Sequence, residues 1–537
     1  MWGRRRLTTP LTREVTAVGR SVAARRARTL SILVAGALLT AGCSVPAPGG
    51  ASGDTTAPAT SPPAGQEGLA EVYAQKLTWE PCGAAGEAEA QCSWVTVPVD
   101  YDKPDGATMR LRMLKVPAEG KAKGSILVNP GGPGGSAVEY ARAADLVVAP
   151  TIRRSYDVVG VDPRGVGESD PLVCVDGQKM DEIIAQDPTP DDTAEIDASR
   201  ASAKAFGQAC EQKAPELLPH LSTIDAAKDM DIVRAALGQS KLMYLGKSYG
   251  TFLGATYAGL FPERAGRLVL DGAIAPELSD EELNLGQAVG FETATRAYVK
   301  NCVDEEDCPL GNDVDQGMQG LRDLLKRIDE NPLPVTDDAR VTQLTEGWAS
   351  VGLARALYDE SSWEQLTDAL RAAAKEGQGD QLMELAREYA DRDAKGAYHG
   401  NIMQVISAVN CLDRPSSPSD DSEVEARIAR FEKAAPTWGA SMAMATMSCE
   451  EWPVRSGAKP AKITAAGSGP ILVIGTTRDP ATPYDWAVKL ADQLEGGHLL
   501  TFDGDGHTAY MRSNNCVDNA VDDFFTKGRV PKDGLTC

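Results

Sequence analysis

A chain of 537 residues, 42% apolar and 24% charged, has enough material to bury a large core. Its formal net charge of −23 argues against nucleic acid or anionic lipid as a partner, while suiting cationic peptides and solubility alike. Eleven cysteines without any Cys/His zinc spacing, and no H-E-x-x-H, leave no expectation of a metal or other cofactor.

The first 42 residues read as a signal peptide. Arg4, Arg5, Arg6, Arg13, Arg20, Arg25, Arg26 and Arg28 precede an apolar run over 30–39 that is too short for a permanent membrane span. Leu38-Leu39-Thr40-Ala41-Gly42-Cys43 then resembles a bacterial lipobox, with Thr40 where Leu usually stands. Cleavage before Cys43 would leave a lipid-modified N-terminus holding the protein on the outer side of the cell membrane. Residues 43–68 are Pro, Gly, Ala, Ser and Thr with almost no apolar bulk, hence a flexible tether. The ten cysteines beyond Cys43 are an even number in an exported chain. They fall in sequence-local pairs, giving five expected disulfides: Cys82 with Cys92, Cys174 with Cys210, Cys302 with Cys308, Cys411 with Cys449, and Cys516 with Cys537.

Short Val/Ile/Leu-rich segments bounded by Gly or Pro recur along the rest of the chain. Residues 94–99 and 109–114 read as an antiparallel pair. Strands follow at 125–128, 157–161, 242–245, 267–270, 471–474 and 498–502, with helical patterns between most of them. This is an α/β chain with a mostly parallel eight-stranded sheet. Between the sixth and seventh strands the pattern turns helical: Met318, Leu321, Leu325 and Ile328 share one face, Trp363, Leu366 and Leu370 another, and Val424, Ile428 and Phe431 a third. The expected organisation is a first core part over 69–275, a helical cap over 276–465 without strands, and a second core part over 466–537.

Gly246-Lys247-Ser248-Tyr249-Gly250 lies between the strand at 242–245 and a helical run stopped by Pro262. G-x-S-x-G in a strand–turn–helix context is a nucleophile elbow, where a sharp turn exposes the serine hydroxyl. Asp479 follows the strand at 471–474, and His507 follows the strand at 498–502. The order Ser, Asp, His, each beyond the carboxyl end of a strand, is that of α/β-hydrolases. His507 would take the proton of Ser248 and return it to the leaving group, while Asp479 orients the imidazole. Asp271, after the preceding strand, is the alternative acid. Two backbone donors must face the oxyanion. Tyr249, directly after the nucleophile, supplies one. The glycine loop Asn129-Pro130-Gly131-Gly132-Pro133-Gly134-Gly135 supplies the other, from Gly132 first and Gly131 next.

The segments 129–136, 157–165, 246–251, 479–483 and 504–510 together resemble the prolyl/tripeptidyl aminopeptidase family of α/β-hydrolases. Within it, the chain is similar to secreted actinobacterial tripeptidyl aminopeptidases and mycobacterial envelope lipoproteins. The resemblance implies Ser248, Asp479 and His507 as the triad. Prolyl aminopeptidases usually have His-Gly-Gly-Pro-Gly at the glycine loop, whereas this chain has Asn129-Pro130 before its glycines, like the tripeptidyl branch, so strict proline specificity is not expected. The expected activity is release of short peptides, tripeptides by this resemblance, from the free N-termini of peptides or proteins. An α-ammonium calls for a buried carboxylate. Asp413 beside Cys411, and Glu450 and Glu451 beside Cys449, are the candidates, with Thr482 bonding near the triad. A cell-envelope carboxylesterase or lipase uses the same triad. A noncatalytic binding protein on a hydrolase scaffold is the third reading, against which the intact triad argues.

Overall fold

The computed structural model describes residues 61–83, 89–305 and 307–537. The signal segment, Cys43 and the tether up to residue 60 lie outside the described residues.

One sheet organises the molecule. Its strands, in chain order, are β1 (Glu80–Pro81), β2 (Gln91–Pro98), β3 (Thr108–Val116), β4 (Ser125–Asn129), β5 (Asp157–Val161), β6 (Leu242–Lys247) and β7 (Ala265–Asp271), all N-terminal to the long helical excursion. A two-residue hairpin, β8 (Leu333–Pro334) with β9 (Gln343–Leu344), stands apart within that excursion. The main sheet resumes with β10 (Ile471–Arg478), β11 (Gly497–Asp505) and β12 (Leu535–Thr536). The spatial order is β1-β2-β3-β5-β4-β6-β7-β10-β11-β12, antiparallel as far as β5 and parallel from β5 onward. This is the α/β-hydrolase arrangement. It has ten strands rather than the eight expected, because the two-residue β1 and β12 extend the edges and are too short to impose a periodicity. The hairpin likewise corrects the expectation of a strand-free excursion.

The parallel strands are apolar on both faces because helices cover both. Every residue of β4 is buried, and Ile471 to Thr476 of β10 are buried without a break. Helices α1 (Ala137–Arg142), α2 (Gly177–Ile184), α3 (Thr193–Lys213), α4 (Thr223–Ala236) and α5 (Tyr249–Leu260) connect or follow the strands up to β6. Strands β7 and β10 are hydrogen-bonded neighbours, Leu268 opposite Ile471, although nearly the whole helical excursion separates them in sequence. That excursion includes α6 (Asp280–Asp304), α7 (Val314–Glu330), α8 (Glu346–Leu357), α9 (Ile402–Asp413) and α10 (Asp421–Ala434). It has its own apolar core, in which Met318, Leu321 and Ile328 of α7 meet Trp348 and Leu353 of α8, together with Trp363 and Leu366. Burying side chains of that size contributes about 1.5–3 kcal/mol each. A capping box starts α6: Ser279 Oγ accepts from Glu282 N–H, and Glu282 accepts from Ser279 N–H at 2.9 Å.

All five expected disulfides are formed, each with the expected partner. Cys82 and Cys92 join the residue after β1 to β2, across an edge pairing of only two residues. Cys174 and Cys210 hold the segment before α2 against α3. Cys302 and Cys308 close a six-residue step at the end of α6. Cys411 and Cys449 fasten α9 to the segment that follows α10. Cys516 and Cys537 pin the chain end beyond β12 to α11 (Asn515–Lys527), the last helix.

The Asp162-Pro163-Arg164 turn after β5 acts as a clamp beneath the site. Arg164 reaches Asp229 on α4 at 2.7 and 2.8 Å, and the Asp162 carboxylate accepts from Ser136 Oγ and Val138 N–H, fixing the end of the glycine loop.

Candidate active site

Strand β6 enters the elbow with no room to spare. A Cβ on Gly246 would lie 2.3 Å from the Gly250 carbonyl, so only glycine lets strand and helix pass. Ser248 consequently sits at φ 55°, ψ −126°, a conformation costly for a residue with a Cβ. The surroundings hold it there. Ser248 N–H donates to Asp271 O at 2.9 Å, and Ser248 O accepts from Thr251 N–H and Thr251 Oγ1.

Asp479 and His507 meet directly. His507 Nδ1 lies 2.9 and 3.0 Å from the two carboxylate oxygens. The carboxylate also accepts from the N–H groups of Ala481 and Thr482 at 2.9 and 2.8 Å, from Thr482 Oγ1 at 2.9 Å and from Thr508 N–H at 3.3 Å. So many donors fix the orientation of the carboxylate. Tyr358, just beyond the end of α8, backs the imidazole: its ring stands nearly perpendicular to that of His507 at 5.0 Å, and its carbonyl accepts from His507 N–H. His507 Nε2 is buried and has no hydrogen-bond partner among the described residues, so no hydrogen bond to Ser248 Oγ is formed in this structure.

Asp271, the alternative acid, has different work. Its carbonyl holds Ser248 N–H, while its carboxylate accepts from Ala509 N–H and Tyr510 N–H in the loop that carries His507. The next residue, Gly272, adjoins the base, since a Cβ there would lie 3.2 Å from His507 Cε1. One residue pair thus ties the elbow to the histidine loop. Lys247 adds a second tie: its Nζ donates to Tyr510 O at 2.7 Å and lies 3.8 Å from Asp271, and burial pulls its pKa down to about 8.

The glycine loop passes over the elbow. A Cβ on Gly131 would lie 2.8 Å from Ser248 Cβ and 2.6 Å from Lys247 O. Gly131 N–H is engaged by Asn129 Oδ1 at 2.9 Å, whereas the N–H groups of Gly132 and Tyr249 have no acceptor among the described residues. Gly132, Tyr249 and Ser248 line a cavity of about 540 Å³. Its far wall comes from the excursion after β7 and, unexpectedly, from a second excursion between β5 and β6, where Met180, Ile183 and Phe206 face it. Sequence reasoning missed this second wall because only Ile196, Gly207 and Cys210 of the 21-residue α3 are fully buried. Methionines 180, 403, 442, 444 and 447 all face the cavity, giving it a pliable apolar lining.

The three expected ammonium anchors do not face this cavity. Asp413 accepts from Thr223 N–H and Thr223 Oγ1, which in turn bonds the Tyr249 hydroxyl at 2.6 Å. Burial raises its pKa to about 6. Glu450 pairs with Arg427 at 2.5 Å, and Glu451 lies 3.9 Å from Arg200. The Cys411–Cys449 bridge does bring their neighbours together, but the two-residue step from Cys411 to Asp413 along α9 turns that side chain about 200° away, and Glu450 and Glu451 are taken up by their arginines. Thr482, by contrast, lines the cavity and bonds Asp479.

Comparison with known proteins places this geometry. The family model described as TAP-like protein matches residues 435–537. Serine protease Hip1 of Mycobacterium tuberculosis is 35% identical, over 86% of this chain and 91% of its own. Carboxylesterase B of M. tuberculosis is 37% identical, over 89% and 92%. The tripeptidyl aminopeptidase of Streptomyces lividans is 32% identical, over 86% of each chain. With relatives matched along nearly their whole length and an α/β-hydrolase fold carrying an Asp–His pair beside a serine elbow, the chain belongs to the tripeptidyl-aminopeptidase-like family of α/β serine hydrolases.

Proposed function

We propose that the protein is an exported serine aminopeptidase that releases short peptides, tripeptides foremost, from free N-termini through an acyl-enzyme. The observation that carries this reading is the placement of Ser248 at one side of a cavity whose walls also touch the catalytic loops: Ile402 of α9 against Gly132, and Tyr358 against His507. A covered site of this kind admits chain ends more readily than internal segments. The names of the tripeptidyl aminopeptidase and serine protease relatives support a peptide substrate.

In the proposed mechanism the scissile carbonyl oxygen points at the N–H groups of Gly132 and Tyr249. Ser248 Oγ attacks the carbonyl carbon as His507 Nε2 takes its proton. The same nitrogen then protonates the departing amine, and water hydrolyses the ester by the reverse sequence. Asp479 accepts from Nδ1–H and so holds that tautomer. The Oγ–Nε2 hydrogen bond tightens when substrate engages, as apo sites are commonly loose. Cys43, once lipidated, tethers the enzyme outside the membrane. Among the described residues no helix is long and apolar enough to cross a bilayer.

Mass spectrometry of peptide digests tests the reading, with Ser248→Ala as control. Ladders of short N-terminal fragments from free peptides, absent from acetylated ones, are expected. Cleavage only at internal bonds would refute it. The carboxylesterase relative favours a second reading, in which short acyl esters are turned over and peptides are not.

A further inference from the structure

We propose that Asp280 and Arg414 form the subsite for the free N-terminus of the peptide substrate, Asp280 accepting from the α-ammonium and Arg414 donating to the first carbonyl. The inference rests on the aminopeptidase reading above. Both side chains line the cavity that holds Ser248. Both are deeply buried, at 7% and 2% exposure, yet Asp280 Oδ2 and Arg414 Nη2 have no hydrogen-bond partner among the described residues. Buried polar atoms are nearly always satisfied; Asp280 has only a 3.4 Å contact from Asn284 Nδ2 and the nearby Ser416 hydroxyl, and Arg414 the Leu278 carbonyl, so each charged group has bonding capacity to spare. Here one acceptor and one donor stand in the same wall, the pattern that matches an ammonium followed by an amide carbonyl. Burial pushes the Asp280 carboxyl up to about 7 against the pull of Arg414, so an arriving cation would favour its ionised form.

Position supports the assignment. Arg414 is held by Nε donating to Leu278 O at 3.1 Å, with Cζ 4.5 Å from the centre of the Phe252 ring. Phe252 is one helical turn beyond Ser248 on α5, so the guanidinium packs against the same end of the helix that carries the nucleophile. The same two side chains also line a second cavity of about 520 Å³, with Ser416, Arg427 and Glu450 on its walls. Asp280 and Arg414 therefore stand as the partition between the two spaces and end the substrate's path. The other carboxylate facing the catalytic cavity, Asp187, is already engaged by Thr189 and clusters with Asp329 and Glu346.

The test compares wild type, Asp280→Asn, Asp280→Glu and Asp187→Asn on a chromogenic tripeptide amide, its N-acetyl form and p-nitrophenyl acetate. Asp280→Asn should lower kcat/KM on the free tripeptide about 10- to 100-fold, mainly through KM, the loss expected of one charged hydrogen bond. Ester hydrolysis should stay within about twofold on the same reckoning, and Asp280→Glu should recover part of the loss. Equal losses on ester and peptide, no loss on the peptide, or a selective loss only in Asp187→Asn would overturn the subsite. A measurement on wild type alone guards against misfolded variants: the free tripeptide should inhibit ester hydrolysis at lower concentration than its acetylated form, and equal inhibition would count against the anchor. Wild-type enzyme that cleaves free and acetylated peptides alike removes the aminopeptidase reading and the subsite with it. A free-amine preference that survives Asp280→Asn removes the subsite alone.

Discussion

Replacing Asp479 by asparagine should abolish activity through a proton in the wrong place, with the fold intact. The carboxylate's two oxygens are not equivalent. Oδ1 accepts from Ala481 N–H and Thr482 N–H at 2.9 and 2.8 Å, donors that cannot turn away. An asparagine must therefore keep its carbonyl at that position, where it still faces His507 Nδ1 at 2.9 Å, and place its NH₂ where Oδ2 now faces Thr482 Oγ1 at 2.9 Å, His507 Nδ1 at 3.0 Å and Thr508 N–H at 3.3 Å. The threonine hydroxyl can rotate to accept, so the stability cost is about 1 kcal/mol. The imidazole can accept from that NH₂ only by moving its proton from Nδ1 to Nε2, which removes the lone pair that should deprotonate Ser248; if it instead keeps Nδ1–H on the retained carbonyl at 2.9 Å, a neutral amide replaces the charge that should stabilise the imidazolium. Either outcome is expected to lower kcat, on the order of 10⁴-fold near neutral pH where the wrong tautomer prevails. Stopped assays with p-nitrophenyl acetate, fluorophosphonate labelling of Ser248 and thermal unfolding separate the effects. A variant that keeps a tenth or more of wild-type kcat with an unchanged melting temperature would refute the assignment and return Asp271 to consideration.

Three further outcomes follow from the same geometry. Gly131→Ala puts a Cβ 2.6 Å from Lys247 O at φ +99°, so the loop must lift off the elbow; activity should fall at least 100-fold with about 1–3 kcal/mol lost in chemical denaturation. Asp413→Asn should leave the preference for free amines untouched and lower kcat only a few-fold, about 1 kcal/mol of barrier, because Asp413 acts on Tyr249 through Thr223; a selective loss on free-amine peptides would contradict this. Burial raises the carboxyls of Asp280, Asp413 and Glu346 to about 7, 6 and 8. The native state thus holds protons that the unfolded chain releases above about pH 4, so stability should fall as pH rises from about 4 to 8, and Glu346→Gln should flatten that slope in calorimetric scans.

The elbow and the acid–base pair were legible because turn geometry is a local constraint. Gly246 and Gly250 flank Ser248 for reasons of clearance, Asp479 follows a strand whose apolar run marks it as central, and His507 follows the shorter apolar stretch of β11, which is only partly buried. The helix faces of the long excursion were legible for the same reason, since Leu321, Ile328 and Leu366 repeat at helical spacing and are fully buried. The cysteine pairing was legible too, because bridges as short as Cys302 to Cys308 and Cys82 to Cys92 join neighbours in the chain. What sequence hid is non-local. Asp271 gains its meaning only when β7 lies beside β6 and the loop after β11 folds onto its carboxylate. Asp413 looked available beside a bridged cysteine, but helix rotation turns it toward Thr223. Asp280 carried no signal in the sequence pattern, and only its burial in the first turn of α6 distinguishes it.

The aromatic ring that supports the imidazole belongs to the insertion, not to the sheet that carries the nucleophile. Substrate selection and proton transfer are therefore not separable modules in this enzyme. Grafting a foreign lid to retune what it digests would strip the backing from the general base unless a ring is supplied at the position of Tyr358. Laboratory chimaeras should accordingly change turnover along with preference, and diversification of the lid should proceed by small surface edits around that residue.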